Sequence, residues 1–147
     1  MLNIEMRGWR EIQASFAQLG KAGRLKNVHR KALYAGGVVI RARARELCPV
    51  KTGRLRKAIQ VKRHRGTPET THVSVGIDYR KVRYGHLVEF GSPGRETKSG
   101  KSTGPMPAQP FMRPAFEATK EEVTNAIQNK TIEAVYEEVR RLRKRVA

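Results

Sequence analysis

The sequence predicts an α+β fold: a small antiparallel β-sheet packed by N-terminal helices, then a long loop and a long C-terminal helix. Apolar residues recur every three or four positions near both ends of the chain, alternate in the middle, and are sparse in one Gly-, Ser- and Pro-rich segment. The 147 residues fit a single domain of ~100–200 residues. We expect a basic helical part with the first strand (1–62), the rest of the sheet (63–91), an extended loop (92–110) and a C-terminal helix or broken helix (111–147).

Two amphipathic helices are predicted before the sheet. The first ends near Gly20 and carries an apolar stripe of Trp9, Ile12, Phe16 and Leu19. The second spans roughly residues 24–47, ahead of Pro49, with a stripe of Leu25, Val28, Ala32, Ala35, Val39 and Ala42. Gly36 and Gly37 lie in its middle, where they either allow another segment to approach closely or mark a bend. Close packing is the interpretation we prefer.

Three strands are predicted in the middle of the chain. Ala58 to Lys62 follows the turn residues Lys51-Thr52-Gly53, and Thr71 to Ile77 alternates apolar and polar residues as a half-buried strand does. Gly66-Thr67-Pro68 is expected to join these two as a hairpin. The apolar run from Tyr84 to Phe90 is expected to be the third strand.

The segment from Gly91 to Pro110 has no apolar period and is predicted to be a loop that is mobile in the free protein and ordered on binding. After Pro114 a helix resumes, with Phe116, Val123 and Ile127 on one stripe. A second stripe of shifted phase follows, so the helix either breaks near Asn129 or turns a different face to a different neighbour. This second stripe consists of Ile132, Val135, Val139, Leu142 and Val146.

The net charge of +18 is concentrated in residues 1–65, which contain 17 Lys and Arg against 3 acidic residues. Such a surface either repels its copies or binds something acidic, with nucleic acid the commonest partner and acidic protein or anionic membrane as alternatives. Contact with nucleic acid would be independent of base sequence, because these cations bind phosphates. The contact candidates are Arg41, Arg43, Arg45, Arg54 and Arg56.

No catalytic, cofactor or metal site is predicted. Gly100-Lys101-Ser102 lacks the preceding glycine and the following helix of a phosphate-binding loop. The four histidines lack the mutual spacing of metal ligands. Cys48 is interpreted as a buried small hydrophobe rather than a nucleophile. Glu89, the one acid inside an apolar segment, is expected to form a structural ion pair with a basic partner, within or between subunits, rather than to act in acid-base chemistry.

One cysteine cannot form an internal disulfide, which fits a reducing compartment. No window has the length of a signal-peptide core or of a membrane span. We therefore expect a soluble protein that assembles inside the cell and does not contact a membrane.

Three segments in fixed order carry a family resemblance: Pro-Val-Lys-Thr-Gly-Arg-Leu-Arg at 49–56, Tyr-Gly-His-Leu-Val-Glu-Phe-Gly at 84–91, and Pro-Ala-Gln-Pro-Phe-Met-Arg-Pro-Ala at 107–115. Together they resemble the small head-to-tail joining and tail-completion proteins of long-tailed double-stranded-DNA phages, the family typified by gene product ten of phage HK-ninety-seven. The resemblance covers roughly residues 30–117. Ser92 replaces the threonine common in the family, and the basic first half goes beyond the family pattern.

The resemblance implies a non-enzymatic virion component of the neck or tail end, assembled in the host cytoplasm. It implies a homo-oligomeric ring, six-fold, with tail-terminator, tail-tube or other neck proteins as neighbours. From the charge itself we expect the basic residues of such a ring to face packaged DNA or an acidic neighbouring ring. The alternative from another class is a free nucleic-acid-binding protein without sequence preference, favoured by charge alone. The interface candidates are Glu89, Phe90, Phe111, Met112, Ile132, Val135, Val139 and Leu142.

Overall fold

The structure, a computed structural model, describes residues 22–64, 71–94, 100, 102 and 104–146. The predicted helix containing Trp9 to Leu19 and the hairpin turn at Gly66 lie outside these residues. In chain order the elements are α1 (Ala22–Leu47), α2 (Arg54–Ala58), β1 (Ile59–Arg63), β2 (Val73–Ile77), α3 (Gly85–Phe90), α4 (Met112–Ala118) and α5 (Lys120–Val146). Helices combined with an antiparallel strand pair confirm the predicted α+β class.

The chain forms two compact units, each drawn from separated segments. The first unit consists of Met1–Val39, Val61–Val75 and Glu121–Ala147, and the second of Ile40–Gln60 and Gly76–Lys120. The single domain inferred from chain length stays a prediction.

Close packing explains the two glycines of α1, as preferred from the sequence. A Cβ atom on Gly36 would lie 2.8 Å from Ile127 Cγ1 and 3.2 Å from Val123 Cγ1, both on α5. A Cβ atom on Gly37 would lie 2.8 Å from Val61 Cγ1 on β1. Real Cβ atoms essentially never show distances below 3.0 Å, so a larger residue at either position would force these side chains to shift.

The buried line of α1 differs from the predicted stripe in its second half. It takes every fourth residue, namely Val28, Ala32, Gly36, Ile40 and Ala44, and ends at Cys48. Ala42, placed on the stripe by its apolar character, is exposed. The predicted stripe included neither glycine, whereas Gly36 belongs to the buried line.

The C-terminal helix α5 runs without interruption past Asn129, so the predicted break there is wrong. The helical run is interrupted earlier, at Thr119, whose N–H donates to the Phe116 carbonyl at 3.2 Å as α4 ends. In α5, Val123, Ile127 and Ala134 are buried. Ile132 is exposed on the opposite side of the helix, so the second apolar stripe of the sequence is a different face of one helix.

The sheet of the described residues has two strands, and the predicted third strand is wrong: residues 85–90 form the short helix α3. The carbonyl of Tyr84 accepts hydrogen bonds from the N–H groups of Leu87 and Val88 at 3.0 and 3.3 Å, which closes a helical turn. Short apolar runs do not distinguish a strand from a buried helix. Two further hydrogen bonds flank the paired strands. The Asp78 N–H donates to the Ala58 carbonyl at 2.8 Å, and the His64 N–H donates to the His72 carbonyl at 3.0 Å.

The second unit has a well-defined apolar core. Phe111 and Ile59 are fully buried at its centre. Gly85 lies against Ile77 and Leu55, with 3.2 Å between the position of a Cβ atom on Gly85 and Leu55 Cδ1. The buried members of this core are Ala44, Cys48, Leu55, Ala58, Ile59, Val82, Val88, Phe111 and Ala115.

Candidate docking surface

The second unit carries a surface groove of about 360 Å³. Its first wall is the segment between α1 and α2, where Pro49 ends the helical run and Gly53, with φ of 70°, makes the turn into α2. The Lys57 N–H donates to the Gly53 carbonyl at 3.0 Å and secures this turn. The groove is lined by Pro49, Val50, Lys51, Thr52, Gly53, Leu55, Tyr84, Val88, Met106 and Gln109.

The second wall comes from the two ends of the predicted loop, which are tied together. Ser92 and Met106 exchange both backbone hydrogen bonds, at 2.9 and 2.8 Å. Gly91 has φ of 75°, and a Cβ atom there would lie 2.9 Å from the Ala108 nitrogen. The Gln109 N–H donates to the Val88 carbonyl at 2.8 Å. These contacts hold Met106 and Gln109 at the groove, while residues 95–99, 101 and 103 of the loop lie outside the described residues.

Glu89 anchors the start of α4 instead of forming the predicted ion pair. Its Oε2 accepts hydrogen bonds from the N–H groups of Phe111 and Met112 at 2.8 and 3.0 Å, and its Oε1 accepts one from Arg113 N–H at 3.2 Å. A carboxylate at a helix N-terminus satisfies N–H groups that have no partner within the helix and interacts favourably with the helix dipole. Among the described residues, the partners of this buried acid are thus backbone amides rather than a basic side chain.

Phe111 is fully buried in the core of its own unit. Together with the hydrogen bonds of Glu89, this accounts for both residues within one chain, and their burial does not require a role at an interface. Met112 is partly buried against the same core. Phe90 differs sharply, because 81% of it is exposed. Of the four interface candidates in this unit, Phe90 is therefore the most exposed.

Three large apolar side chains that line the groove are exposed. Val50 is 61% exposed, and Tyr84 and Met106 are exposed as well. Isolated exposed apolar residues are ordinary, but a group of them beside a concave surface is typical of a binding site.

In the first unit, α5 presents a second apolar surface. Ile132 is 56% exposed and Tyr136, one turn later, is 72% exposed. Val135 is partly buried, and the helix continues through Val139 and Leu142, whose side chains lie outside the description. On the inner side, Lys31 Nζ of α1 lies 2.7 Å from Glu137 Oε2, and this hydrogen bond lowers the pKa of the Glu137 carboxyl.

The five predicted contact arginines do not share one environment. Arg54 and Arg56 are exposed, and Arg43 is exposed with its Nη1 2.8 Å from Glu46 Oε2. Arg41 is partly exposed. Arg45 donates from Nη2 to the Ile59 carbonyl at 2.9 Å in a partly buried position, so it supports the fold of its own chain. Four of the five therefore have substantial access to solvent.

Cys48 and His29 do not belong to a catalytic or metal-binding cluster among the described residues. Cys48 is buried in the apolar core, and burial raises the pKa of its thiol above the ordinary value. Burial also lowers the pKa of His29. Within the described part of the chain, no group of three or more His, Cys, Asp or Glu side chains is arranged to hold a metal. The described helices include none that is both long and apolar enough to cross a membrane.

The groove itself was not anticipated from the sequence. Its walls come from residues about 50 positions apart, and burial of the intervening core brings them together. A signal was available in Val50, an apolar residue inside an otherwise polar turn, since such a residue gains nothing there unless it packs or binds.

Exposed apolar side chains, held in place by a secured turn and a closed loop base, describe a protein that docks onto other proteins. The chain matches the family described as "Bacteriophage HK97-gp10, putative tail-component" over residues 10–91. Because this match spans more than half of the 147 residues, the protein belongs to this family of bacteriophage tail components, as the sequence motifs indicated. The match includes the motifs at 49–56 and 84–91 and ends before the one at 107–115. Comparisons with curated proteins and with solved structures found no match.

Proposed function

We propose that the protein is a non-enzymatic, ring-forming subunit at the neck or tail end of a long-tailed phage, where it joins the head connector to the tail tube. Membership of a tail-component family supports a structural role in the virion. The observation that supports the ring-forming role is a pair of apolar surfaces, the groove lined by Val50, Tyr84 and Met106 in one unit and the outer face of α5 in the other. Two separate docking surfaces are what a subunit needs to contact neighbours on two sides.

The charge of the protein constrains what the ring surrounds. A ring repeats the +18 of each subunit, and the resulting repulsion must be compensated within a Debye length of about 8 Å at physiological salt. We assign that compensation to packaged DNA or to an acidic neighbouring ring, contacted through Arg41, Arg43, Arg54 and Arg56.

Particle assembly tests the structural role. Deleting residues 131–147 removes the outer apolar face of α5 but keeps Val123 and Ile127, the buried residues that pack against Gly36. We expect the truncated chain to stay folded and to be missing from purified particles, as measured by mass spectrometry of the virion. A chain carrying Glu117→Ala, at an exposed site outside both surfaces, is the control and should be incorporated. Normal incorporation of the truncated chain would contradict the proposal.

The second candidate function is free nucleic-acid binding without sequence preference, favoured by the exposed cations on and around α2. Mass and salt response distinguish the two. A free binder stays small and binds random duplex DNA with an affinity that falls steeply with salt, whereas a neck subunit assembles into a multimer alone or with its neighbours.

A further inference from the structure

We propose that the groove of one subunit receives the outer face of α5 from a second copy of the same chain, so that Ile132 and Tyr136 enter the space beside Val50 and Tyr84. This inference rests on the proposed ring and specifies which surface meets which. It makes the contact heterologous, because the two partners use different surfaces, and heterologous contacts are those that close rings or extend into filaments.

Charge complementarity selects a second copy as the occupant. The segment 49–57, which forms one wall of the groove and leads into α2, contains Lys51, Arg54, Arg56 and Lys57 and no acid, for a net charge of +4. The segment 121–138 of α5 contains five Glu and one Lys, for a net charge of −4 in a chain whose total is +18. This acidic stretch of α5, which ends before Arg140, is therefore opposite in charge to the segment that forms one wall of the groove.

The geometry of α5 places this charge beside its apolar residues. Val123, Ile127 and Ala134 are buried on one side of the helix. Ile132 and Tyr136 lie on the other side, where Glu121 precedes them by about three turns and Glu133 flanks them. Glu121, Glu122 and Glu133 are all exposed. An amphipathic helix that lays apolar residues spaced i and i+4 into an apolar groove is an established mode of recognition.

The size of the groove agrees with side chains as the occupants. Its volume of about 360 Å³ is at the small end of the ~300–1,000 Å³ of ligand pockets. Its lining is mainly apolar and includes Pro49, Val50, Leu55 and Val88. An apolar anchor fits this lining, and Lys51 in the lining is opposite in charge to Glu133, which flanks the anchor and lies 2.6 Å from Lys130.

The test uses the purified full-length chain, with the mass of its assemblies measured by mass photometry. One variant blocks the groove (Val50→Glu) and another blocks the helix (Tyr136→Glu). Both residues are exposed, so both variants should keep the thermal unfolding midpoint of the wild type. Tyr79→Glu, another exposed aromatic position that does not line the groove, is the matched control.

We expect the wild type and the control to form multimers and each blocked variant to lose them. An equimolar mixture of the two variants should form a dimer and stop there, because it contains one intact groove and one intact helix face. A charge exchange gives a second test: Lys51→Glu and Glu133→Lys should each weaken assembly as single variants, and the double variant should assemble more strongly than either.

Multimers in both blocked variants would overturn the inference and leave the ring proposal standing. A monomeric wild type would overturn it too, while the structural role in the virion would still be decided by incorporation into particles. Multimers in both variants together with failure of the Val50→Glu chain to enter particles would assign the groove to a different phage protein.

Discussion

Glu89 and Phe111 show how two residues far apart in the chain fix one local structure. The helix α4 has no capping side chain at Phe111, its first flanking residue, and the carboxylate of Glu89, 22 residues earlier, replaces it. The same bonds position Phe111 in the core, where it is fully buried. The polar and apolar parts of this arrangement therefore depend on each other.

Replacing Glu89 should destabilise the second unit. Glu89→Ala leaves the N–H groups of Phe111, Met112 and Arg113 without their acceptor, and hydrogen bonds to a charged group contribute ~1.5–3 kcal/mol each, without full additivity. We expect a loss of about 3 kcal/mol in the free energy of unfolding, measured in urea, and a smaller loss for Glu89→Gln, which keeps one acceptor oxygen. If Glu89→Ala costs no more than the exposed Glu117→Ala, Glu89 does not anchor α4.

Truncating Phe111 should be as costly as truncation of other core aromatic residues. Phe111→Ala removes a fully buried ring, and we expect a loss of ~3–5 kcal/mol in the free energy of unfolding. Phe90→Ala is the matched control, because its ring is exposed and such changes usually stay within ~0.5 kcal/mol. Equal denaturation midpoints for the two variants would contradict the assignment of Phe111 to the core.

At the scale of elements, the first unit depends on the close approach of α1 to α5. Gly36 lies where any side chain would meet Ile127, and the helix accepts the cost of a central glycine for that contact. In the short helix α3 the sequence does not decide the secondary structure, because its apolar run suits a strand equally well. Its helical turn and the position of Gly85 against Ile77 decide the matter.

Gly36→Ala tests the close approach, because helix propensity alone predicts a gain of about 1 kcal/mol. The added methyl group would meet Ile127 Cγ1 at 2.8 Å, and overpacking of this kind costs ~1–3 kcal/mol, so we expect a net loss in thermal stability. In combination with Ile127→Ala, the substitution should cost less than it does alone. Gly76→Ala, with no atom within 4 Å of the added methyl group, is the control. A Gly36→Ala chain more stable than the wild type would exclude the tight contact.

At the scale of the whole molecule, charge is the dominant property. The +18 exceeds what solubility requires, and the structure leaves Arg41, Arg43, Arg54 and Arg56 accessible while Arg45 is bound to the Ile59 carbonyl. These four arginines are therefore the side chains through which the excess positive charge can contact a partner. They can be replaced without losing the hydrogen bond of Arg45.

A salt series with random-sequence duplex DNA should distinguish a DNA-facing surface from one that meets an acidic protein. If the four arginines contact phosphates, replacing all four with Gln should reduce the slope of log K against log salt by up to about 4, because each contact contributes ~0.9. The change should be the same for unrelated DNA sequences. Unchanged slopes, with both chains binding DNA equally, would remove these arginines from the DNA contact, and absence of DNA binding by a multimeric wild type would favour an acidic protein partner.

The sequence alone determined the main helices, one strand and the turn between α1 and α2. Apolar periodicity along a chain settles α1 and α5, alternation settles β2, and Pro49 with Gly53 ends one helix and turns the chain into the next. Such features depend on neighbours within a few residues, which the sequence displays directly. The family motifs at 49–56, 84–91 and 107–115 are local in the same sense, and their order along the chain indicated a phage tail component, a family that the match over residues 10–91 confirms.

Tertiary structure decided the features that depend on distant residues. The partner of Glu89, the helical state of residues 85–90 and the groove between Val50 and Met106 each require segments that meet only when the core forms. A buried carboxylate takes whichever donors the fold brings to it, and here these are the backbone N–H groups at the start of α4, which have no partner within that helix. The spacing of the sequence identifies Glu89 as a residue in need of a partner, and the packing of the core supplies that partner.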